Sequence, residues 1–135
     1  MPAPLIHPWF EAYFYSNVTE TRWSRRTDER LFTFDEAQGL FLWCPCGFGN
    51  LDKDGREKYP LDLSLGFGRP HGVLVPFACR GLPENHGPFG RDGKTKPRWN
   101  VVGTSLADIS CSPSIAVGPA DKECWHGFIK NGIIA

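Results

Sequence analysis

No long stretch of this sequence repeats its apolar residues at the helical period, and its regularity comes in short runs. Fifteen glycines and twelve prolines punctuate the 135 residues, and turn-formers at that density favour short strands joined by turns and loops. The expected fold class is mainly β: a small single domain of antiparallel sheet with long Gly/Pro-rich loops, stapled by a zinc site. Residues 31–34 (LFTF) and 39–44 (GLFLWC) read as strands around the turn DEAQG. Residues 71–79 (HGVLVPFAC) read as a third. Residues 99–115 read as one or two strands broken near Gly103 or Ala107. The last twelve residues read as a hairpin, because Asn131-Gly132 between apolar runs is a strong two-residue turn signal. Residues 80–98 read as a long loop, and 50–70 as another that includes a short strand at LDLSL. The aromatic stretch 9–18 (WFEAYFYSNV) reads as an edge strand or as an arm on a neighbouring subunit. The domain division this suggests is an N-terminal aromatic arm over 1–30 and a zinc-binding β domain over 31–135.

Charge narrows the function. The formal net charge is zero, so the clustered Lys and Arg of a general nucleic-acid binder are missing. The one basic cluster, RWSRR at 22–26, is followed closely by Asp28 and Glu29 and reads as a solvated face. No run of about eighteen apolar residues is present to cross a membrane. The N-terminus lacks the basic start and apolar stretch of a signal peptide. A cytoplasmic protein is therefore expected, where thiols stay reduced. Five cysteines, an odd number, also do not suit a disulfide framework.

The cysteines and histidines carry the chemistry. Cys44 and Cys46 stand two apart, and so do Cys124 and His126 far along the chain. Two such pairs from distant turns are a common way to build a tetrahedral zinc site. In an ideal strand both members of an i, i+2 pair share a face, so both could reach one ion. His71 opens a strand after a Gly/Pro-rich loop and is a fifth candidate ligand. Cys79 and Cys111, each alone in an apolar run, read as small buried thiols. A redox role for Cys44 and Cys46 would want a helix N-terminus or a cation close by to lower the thiol pKa, and no helix is evident after Gly47. Three protein ligands would leave a fourth position for water and chemistry, whereas four would make the ion structural. Asp35, Glu36, Asp121, Glu123, Ser112 and Ser114 are the candidate helpers for such chemistry, and each also suits a solvated turn.

The turn CPCG at 44–47, the run HGVLVPF, the segment PRWNVVGTSLADISCSPSI and the closing CWHGFIKNG together resemble a family of small, uncharacterised bacterial and phage proteins. Its marks are a CPC-type turn, an L-x-P-S-I segment and a terminal C-x-H-x-(F/W)-(I/V)-x-x-G. The resemblance covers about residues 39–134. It implies metal binding, with Cys44 and Cys46 as turn cysteines, Cys124 and His126 as the terminal pair, and His71 as the middle histidine. Ser112, Pro113, Ser114 and Ile115 match the P-S-I segment. Many members have C-P-x-C, and here the second thiol comes one residue earlier. Related domains beside bacterial ubiquitin-like conjugation genes imply a peptidase alternative.

Three functions follow as expectations. The first is a structural zinc site in a β-rich module that binds another protein or itself. The second is a zinc-dependent hydrolase, peptidase- or isopeptidase-like, with Glu123, Glu36 or Ser114 beside an open metal position. The third is a phage structural or host-takeover protein, acting in the host cell or virion, whose aromatics Trp9, Phe10, Tyr13, Phe14 and Tyr15 make subunit contacts.

Overall fold

The computed structural model describes residues 2–19, 22–24, 26–27, 30–47, 71–90, 92–118 and 124–135. The strand expected at LDLSL, and the acidic residues Asp28, Glu29, Asp121 and Glu123, lie outside these. The described chain is mainly β, built on two antiparallel sheets. Its strands are β1 (Ala3–Pro4), β2 (Tyr13–Thr19), β3 (Arg22–Ser24), β4 (Arg26–Thr27), β5 (Arg30–Leu31), β6 (Gly39–Trp43), β7 (Gly72–Pro76), β8 (Asn100–Val102), β9 (Ser110–Val117), β10 (Trp125–Lys130) and β11 (Ile133–Ile134). A five-stranded sheet runs β1-β11-β10-β9-β8 and a four-stranded sheet runs β3-β2-β6-β7, with β4 and β5 paired separately. No helix of the described chain is long and apolar enough to cross a membrane.

Period-two patterning places the core. Leu40 and Leu42 of β6 and Val73 and Val75 of β7 point inward and pair across the ladder, Leu40 with Val75 and Leu42 with Val73. Cys111, Ile115, Ile129 and Ile134 point inward from the other sheet. One buried cluster draws on both sheets and is completed by Leu5, Trp9, Phe10, Phe14, Phe77 and Trp99. Each fully buried Leu or Ile contributes roughly 1.5–3 kcal/mol. The N-terminal aromatic stretch is thus part of this chain's own core, and β2 lies inside its sheet, between β3 and β6, not at an edge.

The run LFTF departs from its expected strand. Phe32 and Phe34 are buried and Thr33 is exposed, as in a strand. However, the Glu36 carboxylate accepts from Thr33 N–H at 2.9 Å, and the Arg80 guanidinium donates to the carbonyls of Phe34 and Ala37 at 2.9 and 2.8 Å. Side chains thus satisfy this backbone, and only Leu31 keeps a strand partner.

The loop 80–98 is anchored rather than loose. Buried His86 meets the Tyr15 hydroxyl at 2.9 Å, and Arg98 donates to Pro83 O at 2.8 Å. Its far end joins the sheets: Trp99 N–H donates to Pro76 O at 2.9 Å and Ala78 N–H to Trp99 O at 2.8 Å, after which β8 pairs with β9. The break expected in 99–115 falls at 103–109, where the Asp108 carboxylate accepts from the N–H groups of Thr104 and Ser105, both at 2.8 Å. In β9, Ser112, Pro113 and Ser114 stand opposite the single Phe128. This is a bulge at the one residue that has no N–H for the ladder. The Trp99 indole N–H donates to Ser114 O at 3.2 Å and takes up one carbonyl there.

Candidate metal centre

Three strand ends build the site. Cys44 directly follows β6 and His71 directly precedes β7. The β6–β7 ladder pairs Trp43 with Gly72 and runs one step further, with Cys44 N–H donating to His71 O at 2.9 Å. That step puts the Cys44 and His71 side chains at the same end of the sheet. A one-turn 3₁₀ helix, Pro45–Gly47, then turns the chain and carries Cys46. Cys124 comes from the other sheet, immediately before β10, where its N–H donates to Val117 O at 3.0 Å.

One donor atom from each of Cys44, Cys46, His71 and Cys124 lies within 4.8 Å of all the others. Cys44 Sγ is 3.6 Å from Cys124 Sγ. His71 Nε2 is 3.3 Å from Cys124 Sγ and 3.5 Å from Cys46 Sγ. Zn–S bonds of about 2.3 Å and a Zn–N bond of about 2.0–2.1 Å at tetrahedral angles require S···S near 3.8 Å and S···N near 3.6 Å. These three separations match to a few tenths of an ångström, and all the donor atoms lie within 4.8 Å of one another. The donor set, three thiols and an imidazole, suits a borderline-soft divalent ion. Such a cluster can hold a metal.

The electrostatics bear on the redox alternative. Burial raises the Cys44 thiol well above its ordinary pKa, and the Cys46 and Cys124 thiols against it add to the rise. Burial likewise raises Cys46. A redox thiol needs the opposite shift, so the Cys-Pro-Cys turn is a poor nucleophile by itself. A coordinated cation would reverse the balance, because it deprotonates its thiol ligands outright. With all four donors engaged, a tetrahedral ion has no open position.

His126 lies outside this group of four. It sits on the outward face of β10, opposite Ala116, and its Nε2 meets Ser114 Oγ at 2.9 Å. Cys124, one step before the strand, is not held to the strand's pleat, so the i, i+2 spacing does not put the two side chains together. Glu36 lies three residues before β6 and Cys44 just after its end, so the full strand separates Glu36 from the cluster. Cys111 is buried in β9 as expected, whereas Cys79 is exposed, in a turn after β7 with φ of 60°.

Nothing in the sequence hints at a groove of about 900 Å³ between β7, β9 and the loop 88–98, lined by Leu74, Phe89, Arg98, Trp99, Ser114 and His126 among others. Its walls come from β7, the loop before β8, β9 and β10, which are separate in the sequence, and only the fold brings them together.

The fold and site define a β-rich protein with a Cys3His cluster able to hold a metal. Comparisons with protein-family models, with curated proteins and with solved structures found no match to the chain.

Proposed function

We propose that Cys44, Cys46, His71 and Cys124 bind one zinc ion as a structural staple in a small cytoplasmic module that serves macromolecular interaction. The observation that carries this is the convergence of four donors drawn from both sheets to within 4.8 Å, with three of their separations close to a tetrahedral edge. An ion there would tie the β6–β7 end of one sheet to the β10 end of the other. Four protein ligands favour this role over the zinc-dependent hydrolase, which needs an open coordination position. A phage structural role that relies on the aromatic stretch has less support, since Trp9, Phe10, Phe14 and Tyr15 are buried in the chain's own core. The resemblance to bacterial and phage metal-binding proteins belongs to the same proposal.

The test is to measure zinc content, strip the metal with a strong chelator and follow the β-sheet circular dichroism. Because structural zinc contributes folding free energy directly, one zinc per chain and cooperative unfolding on its removal are expected. A chain that loses its zinc and keeps its fold and melting temperature would contradict the structural role.

A further inference from the structure

The groove lies between the outer edge of β7, to which no described strand is paired, and the part of β9's edge that β8 leaves uncovered. In β7, His71 and Phe77 turn their backbone groups toward β6, with Cys44 N–H donating to His71 O and Phe77 N–H to Gln38 O, both at 2.9 Å. Backbone groups alternate between the edges of a strand, so Gly72, Leu74 and Pro76 face the other way. Pro76 O is taken there by Trp99 N–H. Gly72 and Leu74, both lining the groove, present their N–H and C=O groups to it. Across the groove, β8 covers β9 only at 110–112. Val117 O is used on the β10 side and Ser114 O on the opposite side, so the backbone of Ala116 also turns toward the groove. Trp99 fills the place of a strand between β7 and β9 at one end, and the slot continues beyond it.

Among the described residues the lining is apolar except for Arg98, Ser114 and His126. Among the described residues no carboxylate lines it, and that of nearby Asp92 accepts from the N–H groups of Lys94 and Thr95 at 2.9 and 3.0 Å. Arg98 donates to the carbonyls of Pro97 and Pro83, and no described carboxylate neutralises it. A second cation sits at the rim, where Lys96 Nζ lies 3.9 Å from the Phe89 ring centroid.

We propose that this groove docks an extended peptide segment of another protein, apolar at alternate positions and ending in a free carboxylate. The segment adds as a strand to the edge of β7, and its carboxylate meets Arg98. Open backbone groups favour a peptide over a simple apolar acid, which could not use them. This rests on the proposed interaction role and names the partner's chemistry for it.

The experiment selects from a random library of nonapeptides with free carboxyl ends on the full-length protein, with zinc content measured on the same sample. The enriched peptide is then titrated by fluorescence anisotropy. Expected are apolar residues at alternate positions, with binding weakened about ten-fold or more by C-terminal amidation and by Arg98→Gln. Exposed Phe89→Ala should weaken it several-fold. N-methylation of the alternate peptide nitrogens that face β7 should abolish binding, and N-methylation of the other set should weaken it less. Lack of enrichment, indifference to N-methylation, or binding of decanoate in place of peptide would overturn the proposal. So would a dimer that excludes the peptide, which would assign the edge to a second copy. Zinc present without peptide binding sinks the docking alone. Absence of metal sinks the staple, while selection on the same sample still decides the groove.

Discussion

At the residue scale, the two candidate histidines part, and not in the order the sequence suggests, where His126 pairs with Cys124 and His71 comes only as a fifth candidate. His71 Nε2 lies among the thiols, whereas His126 faces Ser114 on the other side of β10's end. His71→Ala and Cys44→Ser are expected to lose most of the bound zinc and to melt well below the parent, while His126→Ala keeps one zinc per chain. Elemental analysis of the three variants checks this, and loss of zinc in His126→Ala would contradict the assignment. A second residue reports through pH. Burial in β9 lifts the Cys111 thiol from an ordinary value of 9.0 to about 12. The folded protein therefore holds this proton where the unfolded chain has released it. The contribution of this thiol to stability is complete below pH about 9 and is lost as the pH rises toward 12. Buried Tyr15, shifted in the same direction, adds to the fall. Denaturation midpoints from pH 8 to 11 should show Cys111→Ala losing less over this range than the parent; equal slopes would show that the thiol is not desolvated.

At the element scale, the hairpin that closes the chain is the best test of local reasoning. Asn131 and Gly132 have φ of 49° and 73°, the left-handed pair that this two-residue turn requires. Gly132 also donates to Ile109 O at 2.8 Å, and a Cβ there would stand 2.0 Å from Ala107 O. Gly132→Ala should cost roughly 2 kcal/mol or more, from left-handed backbone and overpacking together. Urea denaturation would measure it, and a change within about 0.5 kcal/mol would refute the close approach. This hairpin was legible because its information is local: the turn residues and the alternation of Phe128, Ile129, Ile133 and Ile134 lie within a few positions. The run LFTF was misread for the converse reason. Its alternating burial is real, but the groups that take its backbone bonds include Arg80, more than forty residues away, and nothing in the run itself marks their arrival.

At the scale of the whole molecule, the same distinction separates what could be read of the site from what could not. The Cys-Pro-Cys turn and His71 at the mouth of a strand were visible as candidates, because a ligand at a strand end leaves a local trace. Which histidine completes the cluster depends on the β6–β7 register, which sets Cys44 beside His71, and on Cys124 falling one residue outside β10. Neither is written in a spacing. The mainly β class followed from the Gly and Pro content and the short runs, but the strand orders, with β1 beside β11 and Trp99 bridging the sheets, are products of long-range packing. The proposed staple would cross-link the two sheets at one end of the fold, since its four donors come from both. X-ray absorption at the zinc edge on the purified protein tests it most directly. Three sulfur ligands at about 2.3 Å and one nitrogen at about 2.0 Å are expected. A light oxygen ligand in place of a thiol, or no zinc at all, would contradict it.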